Sequence, residues 1–404
     1  MGAPLFSVVI PTRNRPDVLR YALQCALAQR FDDFEVVVSD NGTSEATREV
    51  VADYHDPRIR YVKTPRPLHM VDSWDFALTH AAGRYVTFLS DDDGVSPALL
   101  EAVHSTLKES SLDIVSWPFA AAYHHDSSDE IRLRNTISFD PLDGRTEEVS
   151  RKSIFSEISA VRFTQKLPRL INSCAHRDVF VAIREKFGQV FFPACPDYGV
   201  GVAQLAVRPA LAYLNDFFLL WGICGDSIGY SANKGGAAAQ AFFAELQRDK
   251  VETMSCVPLK TQTTMNYAVD TILRVQAKDT ENLREIEIDW PSYFDVIGHE
   301  ILILEQAGAD VTSDLARLSQ ALGKESAATR LRMSARLLPF RHMRRVRSVR
   351  NLVSAALSAV KRPLRPLLGR KPSTVLLKGA EAGFVNMFEA ARKLDELRRQ
   401  RRAS

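Results

Sequence analysis

The chain has 404 residues, of which 46% are hydrophobic and 25% charged, and a formal net charge of +3. That length exceeds one compact core, so one large domain plus further structure is expected, and the composition is that of a globular rather than a disordered or fibrous protein. No apolar run reaches the roughly 18–20 residues that span a bilayer, and the first residues lack the charged region and apolar stretch of a secretory leader, so a cytoplasmic location is expected.

In chain order, Phe6–Ile10 is a short apolar run ended by Pro11 and reads as a buried strand. Arg15–Gln29 carries Val18, Leu19, Ala22, Leu23, Ala26 and Leu27 at helical spacing, with Pro16 near its start. A strand follows at Phe34–Ser39 and a helix at Ser44–Tyr54, N-capped by Thr43 or Ser44. The next strand is Ile59–Lys63, and Val71–Ala82 is a helix stopped by Gly83 as the C-terminal cap glycine. Tyr85–Leu89, Pro97–Lys108 and Asp113–Trp117 continue as strand, helix and strand. Residues 118–168 read as a loop or small excursion, Arg169–Ala175 and Ala210–Ile223 as further strands, and the chain is mostly helical from about Ala237.

This alternation predicts an α/β fold with a doubly wound, mostly parallel sheet. In such sheets ligands bind at the carboxyl ends of strands, near a switch point. That rule selects Pro11–Arg15, Asp40–Thr43 and Ser90–Gly94. The expected division is 1–235 for this domain, 236–325 for a helical region and 326–404 for a basic helical tail. Five cysteines with no CxxC pair argue against a zinc site or a disulfide framework.

The tail holds the charge asymmetry: between Glu325 and Glu381 there are 14 Lys or Arg and no acidic residue, which leaves the rest of the chain acidic. Residues 330–402 fit two readings equally. One is an amphipathic helix on an anionic membrane surface, which gives a peripheral position on the cytoplasmic face. The other is a basic helix packed on the protein's own acidic body. No recognised nucleic-acid motif is present, so no nucleic-acid partner is expected.

Asp91, Asp92 and Asp93 are adjacent carboxylates at the end of a buried strand. Without a partner they would repel one another or take up protons. Hard oxygen ligands on a short loop suit Mg²⁺ or Mn²⁺ with substrate phosphates completing the shell; a solvated acidic turn is the competing reading. Asp40 offers an acceptor to a base edge beside Gly42, although Asn-Gly and Thr also make a turn unaided. Pro11-Thr12-Arg13-Asn14-Arg15 places a hydroxyl and two guanidiniums beside a helix N-terminus, which suits a phosphate or simply an exposed surface.

Taken together, Ser7–Pro16 (SVVIPTRNRP), Val37–Thr43 (VVSDNGT) and Ala82–Asp93 (AGRYVTFLSDDD) resemble the inverting family-two glycosyltransferases with the GT-A fold, over roughly residues 5–230. The resemblance implies a nucleoside-diphosphate sugar as donor, a UDP-sugar foremost, and a glycan or lipid-linked acceptor. It implies that Pro11, Thr12 and Arg13 line the nucleotide pocket and that Asp40 contacts the base. It implies that Asp91 and Asp92 serve the nucleotide sugar, with Asp92 or Asp93 on Mn²⁺ or Mg²⁺. Many relatives have a carboxylate where this chain has Ser90. Pro193–Tyr198 resembles the element that supplies the base, which makes Asp197 the candidate. A sugar nucleotidyltransferase or a dehydrogenase would want glycines after the first strand, and Pro11–Pro16 has none. A non-catalytic sugar-nucleotide-binding or scaffold protein is the reading from outside enzymes.

Overall fold

The computed structural model describes residues 2–128, 130–232, 234–325 and 374–403. The first half runs β1 (Phe6–Thr12), α1 (Pro16–Leu27), β2 (Phe34–Asp40), α2 (Ala46–Ala52), β3 (Ile59–Lys63), α3 (Met70–His80), β4 (Tyr85–Phe88), β5 (Gly94–Val95), α4 (Leu99–Glu109), β6 (Ile114–Ser116), β7 (Ala121–His124), β8 (Thr136–Phe139), β9 (Thr146–Ser150) and α5 (Arg151–Ser159). There follow β10 (Ser173–His176), α6 (Arg177–Phe187), α7 (Pro196–Val207), β11 (Ala210–Leu214), β12 (Leu219–Ile223), α8 (Ile228–Ala232), α9 (Ala237–Arg248), α10 (Thr264–Lys278), α11 (Trp290–Gln306) and α12 (Thr312–Gly323). The last described elements are β13 (Val375–Lys378), α13 (Gly379–Ala382) and α14 (Met387–Ala403).

Eight strands form one mixed sheet in the order β3-β2-β1-β4-β10-β6-β11-β9. Its β3-β2-β1-β4 half is parallel, as the apolar stretches Val8–Ile10 of β1 and Val36–Val38 of β2 suit when helices cover both faces. β10 lies antiparallel between β4 and β6. One face packs on α1 and α4 through Leu19, Leu23, Leu100 and Val103. The other packs on α6 and α7 through Val179, Ile183, Val202 and Leu205.

Several elements depart from expectation, each for a local reason. Residues 118–168 are not a loop: β7 and β8 enter a second, five-stranded sheet in the order β13-β8-β7-β12-β5. The run Ala210–Ile223 breaks after Leu214, and its halves, β11 and β12, belong to different sheets. In Arg169–Ala175 the strand begins only at Ser173, because Leu170 takes a left-handed φ of 58°. Neither Thr43 nor Ser44 caps α2; its N-cap is Glu45, with no side-chain cap bond. The Thr43 N–H goes instead to Asn14 Oδ1 at 2.9 Å. Gly83 is not the cap of α3, which ends at Ala81. It is needed because a Cβ there would lie 2.4 Å from the backbone nitrogen of Ser7.

Within the expected tail, Val375–Lys378 pair with Thr136–Phe139, and α14 buries Met387, Ala390, Ala391 and Leu394 against the α1 side of the core. Arg30 Nη1 reaches Asp395 at 2.7 Å. Residues 330–373 of the basic segment lie outside the described residues. Among the described residues, no helix is long and apolar enough to cross a membrane.

Helices α9 to α12 enclose a third core around Phe243, Tyr267, Tyr293 and Ile297. Glu300 of α11 is largely buried there: Oε1 accepts the Met265 N–H at 3.3 Å, while Oε2 has no hydrogen-bond partner. Burial pushes its carboxyl up to about 7 from an ordinary 4.5. Because the folded value is the higher one, the stabilising contribution is complete below pH 4.5 and is lost as pH rises through 7. Glu300→Gln is therefore expected to leave stability at pH 4.5 unchanged and to raise it by about 2–3 kcal/mol at pH 8. Urea unfolding at the two pH values checks this; equal effects at both would refute it.

Candidate active site

The carboxyl ends of β1, β4 and β12 meet at the acidic triplet. Gly94 and Val95, directly after it, pair with Leu220 and Leu219 of β12. That pairing fixes the triplet's backbone between the two sheets. Asp93 turns its Oδ1 onto the Gly222 N–H at 2.8 Å. The carbonyl of Asp92 accepts a hydrogen from His125 Nε2 at 2.8 Å, and burial keeps that imidazole neutral.

Asp91 and Asp92 share one guanidinium. Arg15 Nη1 donates to Asp91 Oδ1 at 2.6 Å and Nη2 to Asp92 Oδ2 at 2.7 Å. Thr12 Oγ1 donates to the other oxygen of Asp91 at 2.7 Å. Ser90 Oγ donates to Asp92 Oδ1 at 2.6 Å, and Ser227 Oγ to Asp92 Oδ2 at 2.5 Å. The three carboxyls differ accordingly. Burial and the neighbouring charge of Asp92 hold Asp93 well above the usual range. Burial also raises Asp91, against the pull of Arg15. For Asp92, burial is overcome by the Arg15 charge and by the hydroxyls of Ser227 and Ser90, so it is held well below the usual range. Two carboxylates sharing one fixed cation form the electrostatic centre, and Asp93 is the carboxyl that burial most favours in its protonated form.

Glycine 222 is the tightest point of this assembly. A Cβ there would fall 1.7 Å from the Asp92 carbonyl oxygen. Gly222→Ala must therefore push the acidic loop away from β12, and is expected to cost at least about 3 kcal/mol. A shift in the urea midpoint, with loss of nucleotide binding in whatever folds, is the check; wild-type stability would refute the close-packing argument.

The triplet opens on a cavity of about 1010 Å³. Pro11, Thr12, Arg13, Asn14, Arg15, Asn41 and Asp91–Asp93 line it, together with Asp197 and Tyr198 from α7 and residues of α8 and α9. The helical region thus forms a wall of this cavity. Asp197 lies in the first turn of α7, after Pro196 at the helix start. Its carboxyl is raised by burial, opposed by the nearby charge of Arg169 and by backbone N–H groups. A half-buried carboxylate at the positive end of a helix can both ionise and accept a proton.

Of the expected residues, Asp40 stands behind the cavity wall and Arg13 is engaged by α9. Asp40 is fully buried and is not among the cavity-lining residues. Its oxygens accept the Gly42 N–H and the Tyr61 hydroxyl, both at 2.7 Å. It shapes the turn that brings Asn41 to the cavity. Arg13 lines the cavity, but its guanidinium pairs with Glu245 of α9 at 3.2 Å. His69, at the start of α3, lies between Glu245 and Asp249, with ring nitrogens 3.4 and 2.8 Å from their oxygens. Among the described residues these three are the group whose ligand atoms converge closely enough for a metal ion. Arg15, Ser227, His125 and Gly222 complete the acidic centre. Of these, Arg15 was legible in the sequence, as one of the two guanidiniums of Pro11–Arg15.

Residues 7–176 match the family described as "Glycosyl transferase family 2". The GalNAc(5)-diNAcBac-PP-undecaprenol β-1,3-glucosyltransferase of Campylobacter jejuni is 36% identical over 109 residues, 26% of this chain and 34% of that one. Validoxylamine A glucosyltransferase of Streptomyces hygroscopicus is 52% identical over 62 residues, 15% of each chain. The chain spans about a third or less of the length of the first curated relatives it matches. Among solved structures, S. aureus TarS 1-349 in complex with UDP-GlcNAc aligns with a TM-score of 0.42 and 16% identity, covering 76% of this chain and 83% of that one. Over residues 7–176, the chain is thus similar to glycosyl transferase family 2.

Proposed function

We propose that the protein transfers a sugar from a nucleoside-diphosphate sugar, a UDP-sugar foremost, to a hydroxyl of a glycan or lipid-linked acceptor, with inversion at the anomeric carbon. The observation that carries this reading is one cavity lined both by Thr12, Arg15, Asp91 and Asp92 and by Asp197. The glucosyltransferase relatives of the family-two segment support the reaction class.

In this reading the acceptor oxygen attacks the anomeric carbon from the face opposite the diphosphate. The bond from that carbon to the diphosphate oxygen breaks, and its electron pair leaves with the nucleoside diphosphate. Asp197 takes the hydroxyl proton as general base. Thr12 and Asp91 orient the nucleotide, with Pro11 and Arg13 beside it, and Asp40 acts through its turn. Asp91 and Asp92 are hard oxygen donors facing the cavity, and one or two carboxylates completed by substrate phosphates suit Mn²⁺ or Mg²⁺. Asp92, with Asp91 beside it, would hold the ion in exchange for Arg15, which now takes an oxygen of each; Asp93 is less suited, since burial and the charge of Asp92 favour its protonated form. When bound, the ion supplies Lewis-acid stabilisation of the departing diphosphate.

A screen of nucleotide sugars for hydrolysis or transfer, with Mn²⁺ and after chelation, tests this. Turnover of at least one donor, lost on chelation, is expected. No turnover and no binding of any donor would overturn the proposal.

A further inference from the structure

Arg169 is a cavity-lining guanidinium that the proposed reaction leaves unused. It precedes β10, and its backbone N–H is fixed by Asn172 Oδ1 at 2.8 Å. The guanidinium carbon stands 4.0 Å from the centre of the Phe119 ring and 5.0 Å from that of Tyr198. Nη1 donates to the Tyr198 hydroxyl at 2.9 Å. Nε is buried and has no hydrogen-bond partner. Among the described residues, no carboxylate forms an ion pair with it. The nearest acid it influences is Asp197.

These facts belong together. Arginine cannot shed its proton to escape burial, so a half-buried guanidinium with no carboxylate in ion-pair range favours an anion beside it. Two aromatic rings hold the plane, and Nη2, which has no partner and is not sealed as Nε is, is the donor that the cavity can reach. A planar fork of this kind suits a carboxylate or a phosphate bidentately. It is bonded to the residue next to the proposed base, not to the Thr12–Arg15–Asp92 cluster.

Resting on the glycosyl-transfer reading, we propose that Arg169 forms an oxyanion subsite for the acceptor. The molecule that receives the sugar carries a phosphate ester or a carboxylate close to its attacking hydroxyl, and Arg169 grips that group while the hydroxyl faces Asp197. The transfer step is the one written above; the anion takes no part in bond making or breaking.

The test uses the full chain saturated with UDP, or with GDP if UDP does not bind, so that the nucleotide side is filled. Methyl phosphate, methyl β-glucuronoside and neutral methyl β-glucoside are then titrated by saturation-transfer NMR. At least one anion is expected to bind tenfold or more tightly than the glucoside, and which one does so distinguishes phosphate from carboxylate. Arg169→Met should remove that preference with nucleotide affinity retained, and Arg169→Lys should restore part of it. Displacement of the anion by the nucleotide, equal binding of the glucoside, or undiminished anion binding by Arg169→Met would each overturn the subsite alone. Failure of both nucleotides to bind would overturn the glycosyl-transfer reading and the subsite with it.

Discussion

Replacing Arg15 by methionine is expected to destabilise the protein by about 3–4 kcal/mol and to abolish turnover. The side chain is only 21% exposed, and it bridges Asp91 and Asp92, whose side chains are 5% and 7% exposed. Removing it leaves two buried carboxylates facing each other with no cation, the case in which breaking a buried pair costs far more than the pair is worth. The protein can respond by holding a proton on Asp91, already raised by burial, so the loss should be smaller at pH 5 than at pH 8. A divalent ion offers a second route. Thermal unfolding with and without Mn²⁺ should therefore show a larger upward shift for the variant than for the wild type. A variant as stable as wild type at pH 8 without metal would mean that Arg15 does not hold the acids together.

The second large effect is expected at Asp197. Asp197→Asn should lower transfer by roughly 10²–10⁴-fold while leaving nucleotide affinity within about a factor of two. The substitution keeps the shape and removes only the ability to take a proton. In the wild type, only ionised Asp197 can act as base, so transfer should fall as pH drops through its raised value. That fall should begin at a higher pH than for a free carboxyl, and the variant should lack it. Retention of the wild-type rate by Asp197→Asn would remove Asp197 from the mechanism.

What the sequence disclosed and what it withheld have physical causes. Strands buried on both faces read as mainly apolar, β-branched runs, so Phe6–Ile10 and Phe34–Ser39 were legible from their own residues. The triplet at Asp91–Asp93 was legible because three adjacent acids at a strand end demand explanation. The second sheet was hidden because its pairings are distant: Phe139 meets Val375, and Ala122 meets Trp221. Arg13 and Arg15 were indistinguishable in sequence. What separates them is Asn14 between them, in a left-handed conformation with φ 57°. One arginine meets Glu245 and the other the acids. Asp40 was read as a ligand residue; the partner that turns it inward, Tyr61, comes from the neighbouring strand.

The last helix also governs when the site can exist. Met387 Sδ packs where a Cβ on Gly94 would be, 2.8 Å away, and Asp395 accepts the Ser96 hydroxyl at 2.9 Å. The support behind the acidic loop is thus supplied from the far end of the chain. At roughly 5–20 residues per second of synthesis, the stretch from Gly94 to Met387 takes on the order of 15–60 s to emerge. During that interval the triplet is already made but its backing is not. A ribosome stalled before α14 would therefore display an acidic loop without the packing of Met387 and the Asp395 hydrogen bond behind it.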